Sequence, residues 1–424
     1  MEPATKPRMK SLLRFLLAAA IFAVLASAQN FADLKPSPQQ IAWQDLEIGV
    51  LIHFGPNSFM DREWGDGKAD PRVFNPTALD AGQWVAAAKS AGARYVVLVA
   101  KHHDGFCLWP TAETDYSVKA SPWRGGHGDL VREVAEAARR QGLRFGVYLS
   151  PWDRHEPRYH SNAAYDEYYR RELTELATRY GELTEFWLDG AGSEGHVYDF
   201  DSYVTTLRTY QPNTLLFADV GFLKYGDIRW VGNESGFASA DNWNVVDRLG
   251  YLRWRPAEAD TPLRKDHWFW HPNDEKSLKS LAELMETYHK TVGRGAQLML
   301  GLAPDNRGLL PESDVARLRE FGNEVRRIYG ETREGPAALE IHSERPITFD
   351  RAVMMERLSG GQRVLRYAVE AWADGRWKEL SSGTSVGHKK IDIFPRTTAA
   401  RVRLRILDSY GTPAIRTFRV ADGR

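Results

Sequence analysis

Between residues 47 and 302 the chain repeats one pattern: a short apolar run, a polar turn, then a stretch with helical spacing. The apolar runs are Glu47–Phe54, Tyr95–Ala100, Leu143–Leu149, Glu185–Leu188, Thr214–Ala218, Ile228–Val231, His267–Trp270 and Gln297–Leu302. Leu130, Val131, Val134, Ala135 and Ala138 fall on one helical face, as do Leu281, Leu284, Met285 and Tyr288. Strands alternating with helices over this length predict a (β/α)8-like barrel, of class α/β. The segment from 190 to 270 is irregular and does not by itself order the later strands.

Beyond residue 336 the period changes. Val402, Leu404 and Ile406 alternate with Arg403 and Arg405, and "YAVEAWADGRWKEL" (367–380) alternates about Asp374-Gly375, a hairpin signal. Residues 336–424 are expected to form a small antiparallel β-sandwich behind a barrel domain spanning 29–335. The sandwich either binds carbohydrate or only buttresses the barrel, and the second role is the expected one.

The first 28 residues read as a signal peptide. Lys6, Arg8, Lys10 and Arg14 precede the apolar run Phe15 to Leu25, which ends in Ala26-Ser27-Ala28. Cleavage before Gln29 would leave 424 − 28 = 396 residues, with a periplasmic or secreted destination and no membrane partner afterwards. The cleaved chain would not begin with cysteine, which argues against a lipid anchor there. Cys107 is the only cysteine. It excludes an intramolecular disulfide and reads as a small buried hydrophobe. Lys and Arg balance Asp and Glu at 56 each, with no long basic run, so nucleic acid is not expected as a partner. The 14 tryptophans fit either an aromatic-rich core or a surface that stacks on flat ligands.

In a barrel the active site lies at the C-terminal strand ends, and here those ends are polar. The first run finishes at His53 and the second in Lys101-His102-His103-Asp104. The third reaches Tyr148, the fourth passes into Asp189, and Glu234 lies just beyond the sixth. A lone histidine is usually structural, but five such ends in series point to a site. Zinc is one reading of three histidines on a rim. However, neighbouring strand residues point to opposite faces, and no H-x-H or HExxH spacing occurs, so no metal and no cofactor are expected. Neutral imidazoles and a tyrosine hydroxyl suit the recognition of hydroxyl groups. Asp189, flanked by Trp187 and by Gly190, Ala191 and Gly192, has the setting of a nucleophile approached closely by a ligand. Glu234 follows 234 − 189 = 45 residues later, and two carboxyls facing one cleft are the glycosidase arrangement. Glu63, Asp104, Asp153 and Glu194 are further carboxyls that spacing does not exclude. Arg229 and Arg253 are possible ion-pair partners for Glu234.

On these residues the chain resembles the α-L-fucosidases of glycoside hydrolase family 29. The matching stretches are "HFGPNSF", "REWGDG", "YVVLVAKHHDGFCLWP", "GVYLSPWDRH", "EFWLDGAG", "RWVGNESG" and "GAQLMLGLAPDNRGLL", in family order along the chain. "GTSVGHKKIDIF" also looks like the family's sandwich. The resemblance implies a retaining mechanism, with Asp189 as nucleophile and Glu234 as general acid/base. It implies that His53, Glu63, Trp64, His102, His103 and Tyr148 grip the fucose ring. Trp268 and Trp270 of "HWFWHP" are candidates for the pocket wall near the sugar methyl, and Arg229 either contacts the sugar or tunes a carboxyl. "WVGNE" resembles the subfamily acting on α-1,3- and α-1,4-linked fucose of branched glycans, so a fucosylated oligosaccharide or glycoconjugate is the expected partner. One departure stands out: Gly301 of "GAQLMLGLAP" occupies the place of an asparagine in the family pattern. The acid role calls for a raised pKa, so Glu234 is expected in a less solvated setting than Asp189. The alternatives are a broad-specificity fucosidase, another glycosidase on the same barrel, and a lectin that holds fucose without cleaving it.

Overall fold

The computed structural model describes residues 33–193, 195–218, 224–247, 252–330 and 339–424. The signal-peptide segment, Glu194 and the boundary at 335/336 lie outside these residues. Helix α1 (Pro38–Gln44) leads into strand β1 (Ile48–Ile52), followed by α2 (Pro56–Met60) and α3 (Ala81–Ser90). Next come β2 (Tyr95–Lys101), α4 (Leu130–Arg140), β3 (Arg144–Leu149), α5 (Asn162–Arg179), β4 (Glu185–Leu188), α6 (Phe200–Tyr210) and β5 (Leu215–Ala218). A two-residue β6 (Arg229–Trp230) precedes a hairpin of β7 (Val245–Asp247) and β8 (Leu252–Trp254). The barrel part ends with β9 (Ala257–Pro262), α7 (Leu281–Lys290), β10 (Gln297–Leu302) and α8 (Glu312–Tyr329).

Eight parallel strands run in the order β5-β4-β3-β2-β1-β10-β9-β6. A single parallel bridge from Phe217 to Ile228 joins the two ends, so the sheet is a nearly closed barrel. Strand alternation divides the apolar residues into two cores. Val97, Val99, Tyr148, Trp187, Phe217 and Met299 pack together within the barrel. Val96, Leu98, Val147, Phe186 and Leu188 pack in the shell beneath the helices. Strands buried on both faces read as continuous apolar runs, which is why most of them are visible in the sequence. The α4 face is buried as expected, and the Asp129 side chain caps that helix by accepting from Arg132 N.

The seventh barrel strand differs from expectation. It is β9, "AEADTP", and not His267–Trp270. β9 escapes an apolar-run search because its inward residues include the acids Glu258 and Asp260. His267–Trp270 forms no barrel strand; its amides at Trp268 and Phe269 donate to the Glu63 carboxylate.

The C-terminal part is antiparallel: β11 (Glu340–Glu356), β12 (Val364–Ala373), β13 (Arg376–Gly383), β14 (Lys390–Ser409) and β15 (Ile415–Ala421), in the order β13-β12-β14-β11-β15. β12 and β13 turn at Asp374-Gly375, both at positive φ (52° and 75°), as a tight hairpin requires. This domain grips the barrel just before β1, through His388 Nε2 to Asp45 Oδ1 at 2.8 Å and an ion pair of Lys389 with Glu47. That end is opposite the strand termini, the geometry of a buttress. No helix among the described residues is long and apolar enough to cross a membrane.

Candidate active site

One cleft of about 790 Å³, mouth included, opens at the C-terminal strand ends. His53, Glu63, Trp64, His102, His103, Tyr148, Asp189 and Glu234 all line it, so the eight residues expected to grip the sugar or do the chemistry are brought to one place. Trp268 lines it as well and Trp270 does not.

The turn after β2 explains the two adjacent histidines. Lys101 closes the strand, the chain folds back through Gly105 (φ 87°), and Gly105 N donates to His102 O at 3.0 Å. The turn cancels strand alternation, so both rings face the cleft with centroids 4.2 Å apart. His53 lies 5.6 Å from His102. Burial pushes His53 down to about 3 and His102 well below the usual histidine range. Both are therefore neutral and can donate and accept. The Nδ1 of His103 lies 2.7 Å from Ser150 Oγ, whose own proton goes to Trp152 O at 2.7 Å. That hydroxyl must then accept from Nδ1–H, which leaves His103 Nε2 facing the cleft as an acceptor. Among the described residues no group of three His, Cys, Asp or Glu side chains is arranged to hold a metal ion.

Asp189 follows β4 and is held on both oxygens. Tyr148 Oη donates to Oδ2 at 2.9 Å, and Ala191 N donates to Oδ1 at 2.9 Å. His103 Nε2 stands 3.6 Å from Oδ2. Burial and the Asp189 charge keep the Tyr148 phenol protonated, so it remains a donor. The small residues after Asp189 have a further role: a Cβ on Gly192 would lie 2.1 Å from the Trp152 ring, so glycine there makes room for that indole.

Glu234 sits beyond β6 on a loop with Gly232 and Gly236 at φ 89° and 75°. Glu234 is exposed whereas Asp189 is half-buried, the reverse of the expected order. A two-residue strand ending in a glycine-flanked loop carries Glu234 to the cleft mouth. The Arg229 guanidinium bonds Asn242 Oδ1 and, at 3.1 Å, Trp243 O.

Glu63 does more than line the cleft. It accepts from Trp268 N at 2.9 Å, Phe269 N at 3.1 Å and His271 Nε2 at 2.8 Å. His271 Nδ1 also meets Asp61 at 2.5 Å, and these two carboxylates raise its pKa against the opposing effect of burial. Glu63 thus pins the aromatic loop that completes the wall. Gly301, the departure from the family pattern, has its reason here: a Cβ would lie 2.6 Å from the Trp268 ring. Its absence lets Trp268 settle beside His53, with ring centroids 5.1 Å apart.

The other carboxyls separate by environment. Lys101 points away from the cleft into a fully buried cluster, 2.9 Å from Asp153 and 2.6 Å from Glu172. Burial and the Asp153 charge push Asp104 up to about 7. Cys107 is buried beside Glu172, as a small core residue. Removing the cation alone leaves two buried acids uncompensated. Lys101→Met is therefore expected to cost about 3–5 kcal/mol, measured by denaturant unfolding. Asp260, Trp230, Phe217 and Trp187 also line the cleft. Asp260 and Phe217 were not singled out from the sequence; the inward register of β5 and β9 is the signal that finds them.

Residues 68–331 match the alpha-L-fucosidase family model. The chain belongs to the alpha-L-fucosidases of glycoside hydrolase family 29. This fucosidase is 36% identical to alpha-L-fucosidase 1 of Arabidopsis thaliana, over 89% of this chain and 85% of that one. It superposes on a glycoside hydrolase 29 family member from an unknown rumen bacterium with TM-score 0.86 and 35% identity, covering 92% of this chain and 78% of the other. A Ruminococcus gnavus GH29 fucosidase solved in complex with fucose is 27% identical, with TM-score 0.82 over 94% and 96% of the two chains.

Proposed function

We propose that the fucosidase works by retention, with Asp189 as nucleophile and Glu234 as acid/base. The observation that carries this reading is the pairing in one cleft of a carboxylate anchored on both oxygens with a second acid on a glycine-flanked loop at the mouth. Asp189 attacks the anomeric carbon of fucose while the glycosidic C–O bond breaks and Glu234 protonates the departing oxygen. Glu234 then takes a proton from water, which displaces Asp189 and releases fucose with its configuration kept. His53, His102, His103 and Tyr148 supply donors and acceptors for ring hydroxyls, and Trp64 and Trp268 supply flat apolar contact. Glu234 stands exposed at the cleft mouth, within reach of the departing sugar.

The "WVGNE" stretch supports α-1,3- and α-1,4-linked fucose on branched glycans as the substrate, with the N-terminal segment directing the enzyme to the periplasm or outside the cell. Fucose release from a Lewis-type trisaccharide is expected to exceed that from a simple aryl α-L-fucoside by at least tenfold in kcat/KM, a difference of about 1.4 kcal/mol in transition-state binding. The reverse order would assign broad specificity, and fucose binding without release from either would assign a lectin. N-terminal sequencing of the exported protein should begin at Gln29.

A further inference from the structure

One layer beneath the cleft, inside the barrel, two acids meet. Glu185 on β4 and Glu258 on β9 are completely buried. Alternation places Glu185, Trp187 and Asp189 in one inward column and Glu258 and Asp260 in another. Glu258 accepts from Trp187 Nε1 at 2.8 Å and from Tyr95 Oη at 3.0 Å. Glu185 Oε2 accepts from Trp43 Nε1 at 2.8 Å. No N–H or O–H reaches Glu185 Oε1 in hydrogen-bonding geometry, and the Glu185 and Glu258 carboxyls lie against each other. Two ionised carboxylates can only accept, so such a contact needs a proton on one of them. Tyr95 and Trp187 donate to Glu258 and Trp43 donates to Glu185, so the pair holds one proton between its two carboxyls.

We propose that Glu258 is a positioning residue for Trp187, and that it shares one proton with Glu185 so that a single buried negative charge fixes the indole beneath the sugar. Trp187 lines the cleft. It stacks on Phe217 at 3.6 Å and on Tyr148 at 5.7 Å. Tyr148 in turn donates to Asp189, so the anchor of the indole also sets the donor of the nucleophile. The pair is faced by Trp43 from α1, Tyr95 from β2 and Trp187 from β4. Gln297 of β10 donates to Trp43 O at 2.9 Å, and none of the hydrogen-bond partners of either acid is Lys or Arg. Burial accordingly pushes Glu185 up to about 7 and Glu258 well above the usual carboxyl range. A carboxyl pKa raised by folding favours the folded state below its unfolded value, and that advantage is lost as pH rises through the folded value.

Glu185→Gln keeps a hydrogen-bonding group beside Glu258 without its charge, and Glu258→Met removes the acceptor of the indole. In D2O at neutral pD, the infrared spectrum of the parent minus that of the Glu185→Gln/Glu258→Gln double variant is expected to show a protonated-carboxyl carbonyl band. The melting temperature of Glu185→Gln relative to the parent is expected to rise from about pH 5 to about pH 8. Its kcat/KM should stay within about twofold of the parent, because the hydrogen-bond pattern is kept. Glu258→Met should lose about tenfold or more in kcat/KM through displacement of the indole. No difference band, or a melting gap that does not change with pH, overturns the shared proton, whether or not Glu258→Met folds. Parental kcat/KM in a folded Glu258→Met overturns the positioning role. The kinetic readout rests on the proposed reaction, whereas the infrared and melting readouts do not, so the two can fail separately.

Discussion

Asp189→Ala is expected to lower fucoside turnover by about 10³–10⁶-fold, with binding of free fucose largely kept. The size follows from what the side chain does. In the proposed mechanism it forms the covalent bond that splits one difficult displacement into two, and no neighbour replaces it: Tyr148 is held protonated and His103 Nε2 sits 3.6 Å from the carboxylate it would have to supplant. The fold should survive, because Asp189 is half-buried and the loss leaves mainly the Tyr148 hydroxyl without its acceptor, at about 1–3 kcal/mol. Steady-state assay with an aryl fucoside and a melting curve measure both effects. Azide added to this variant should give fucosyl azide of inverted configuration, since one displacement replaces two. Wild-type turnover in a folded Asp189→Ala would remove the nucleophile assignment.

Glu234→Ala is expected to behave differently by leaving group. Loss of the proton donor should cost about 10²–10⁴-fold in kcat/KM on a branched glycan, whose departing sugar oxygen is a poor leaving group. An aryl fucoside with an acidic phenol needs little protonation, so its first step should persist and the covalent intermediate should accumulate. Azide should then restore turnover and give the retained product, because two displacements precede release. An equal loss on both substrates would show that Glu234 serves the fold of the mouth loop and not proton transfer.

The two residues also show what the sequence could and could not reveal. Asp189 was legible because it ends an apolar run at the place where barrels keep their chemistry. The histidine pair was legible as a pair, but its geometry was not: only the turn at Gly105 brings both rings to one cleft. β9 stayed hidden because the barrel interior accepts acids when a proton and indole donors satisfy them, and "AEADTP" therefore lacks the apolar signature of a buried strand. The solvation of Glu234 was inverted for a related reason. Burial at the mouth depends on the path of a loop, which is not written in residue spacing. Gly301 looked like a local departure and became intelligible only beside Trp268, which approaches it from 33 residues earlier in the chain.

The barrel is joined between β5 and β6 by one bridge, with the amides of Asp227 and Ile228 both donating to Leu216 O at 2.9 and 3.2 Å. Every other neighbouring pair shares a ladder of at least two registered residues. Asp189 hangs from β4, paired directly with the β5 bank of this seam, and Glu234 from the β6 bank. The fastest hydrogen exchange in the staves of the barrel should therefore occur at this join, and each opening there changes the span between the two acids. A fucose ring bridging both banks closes the hoop, so slowed exchange at Ile228 would report substrate engagement without any chemistry taking place.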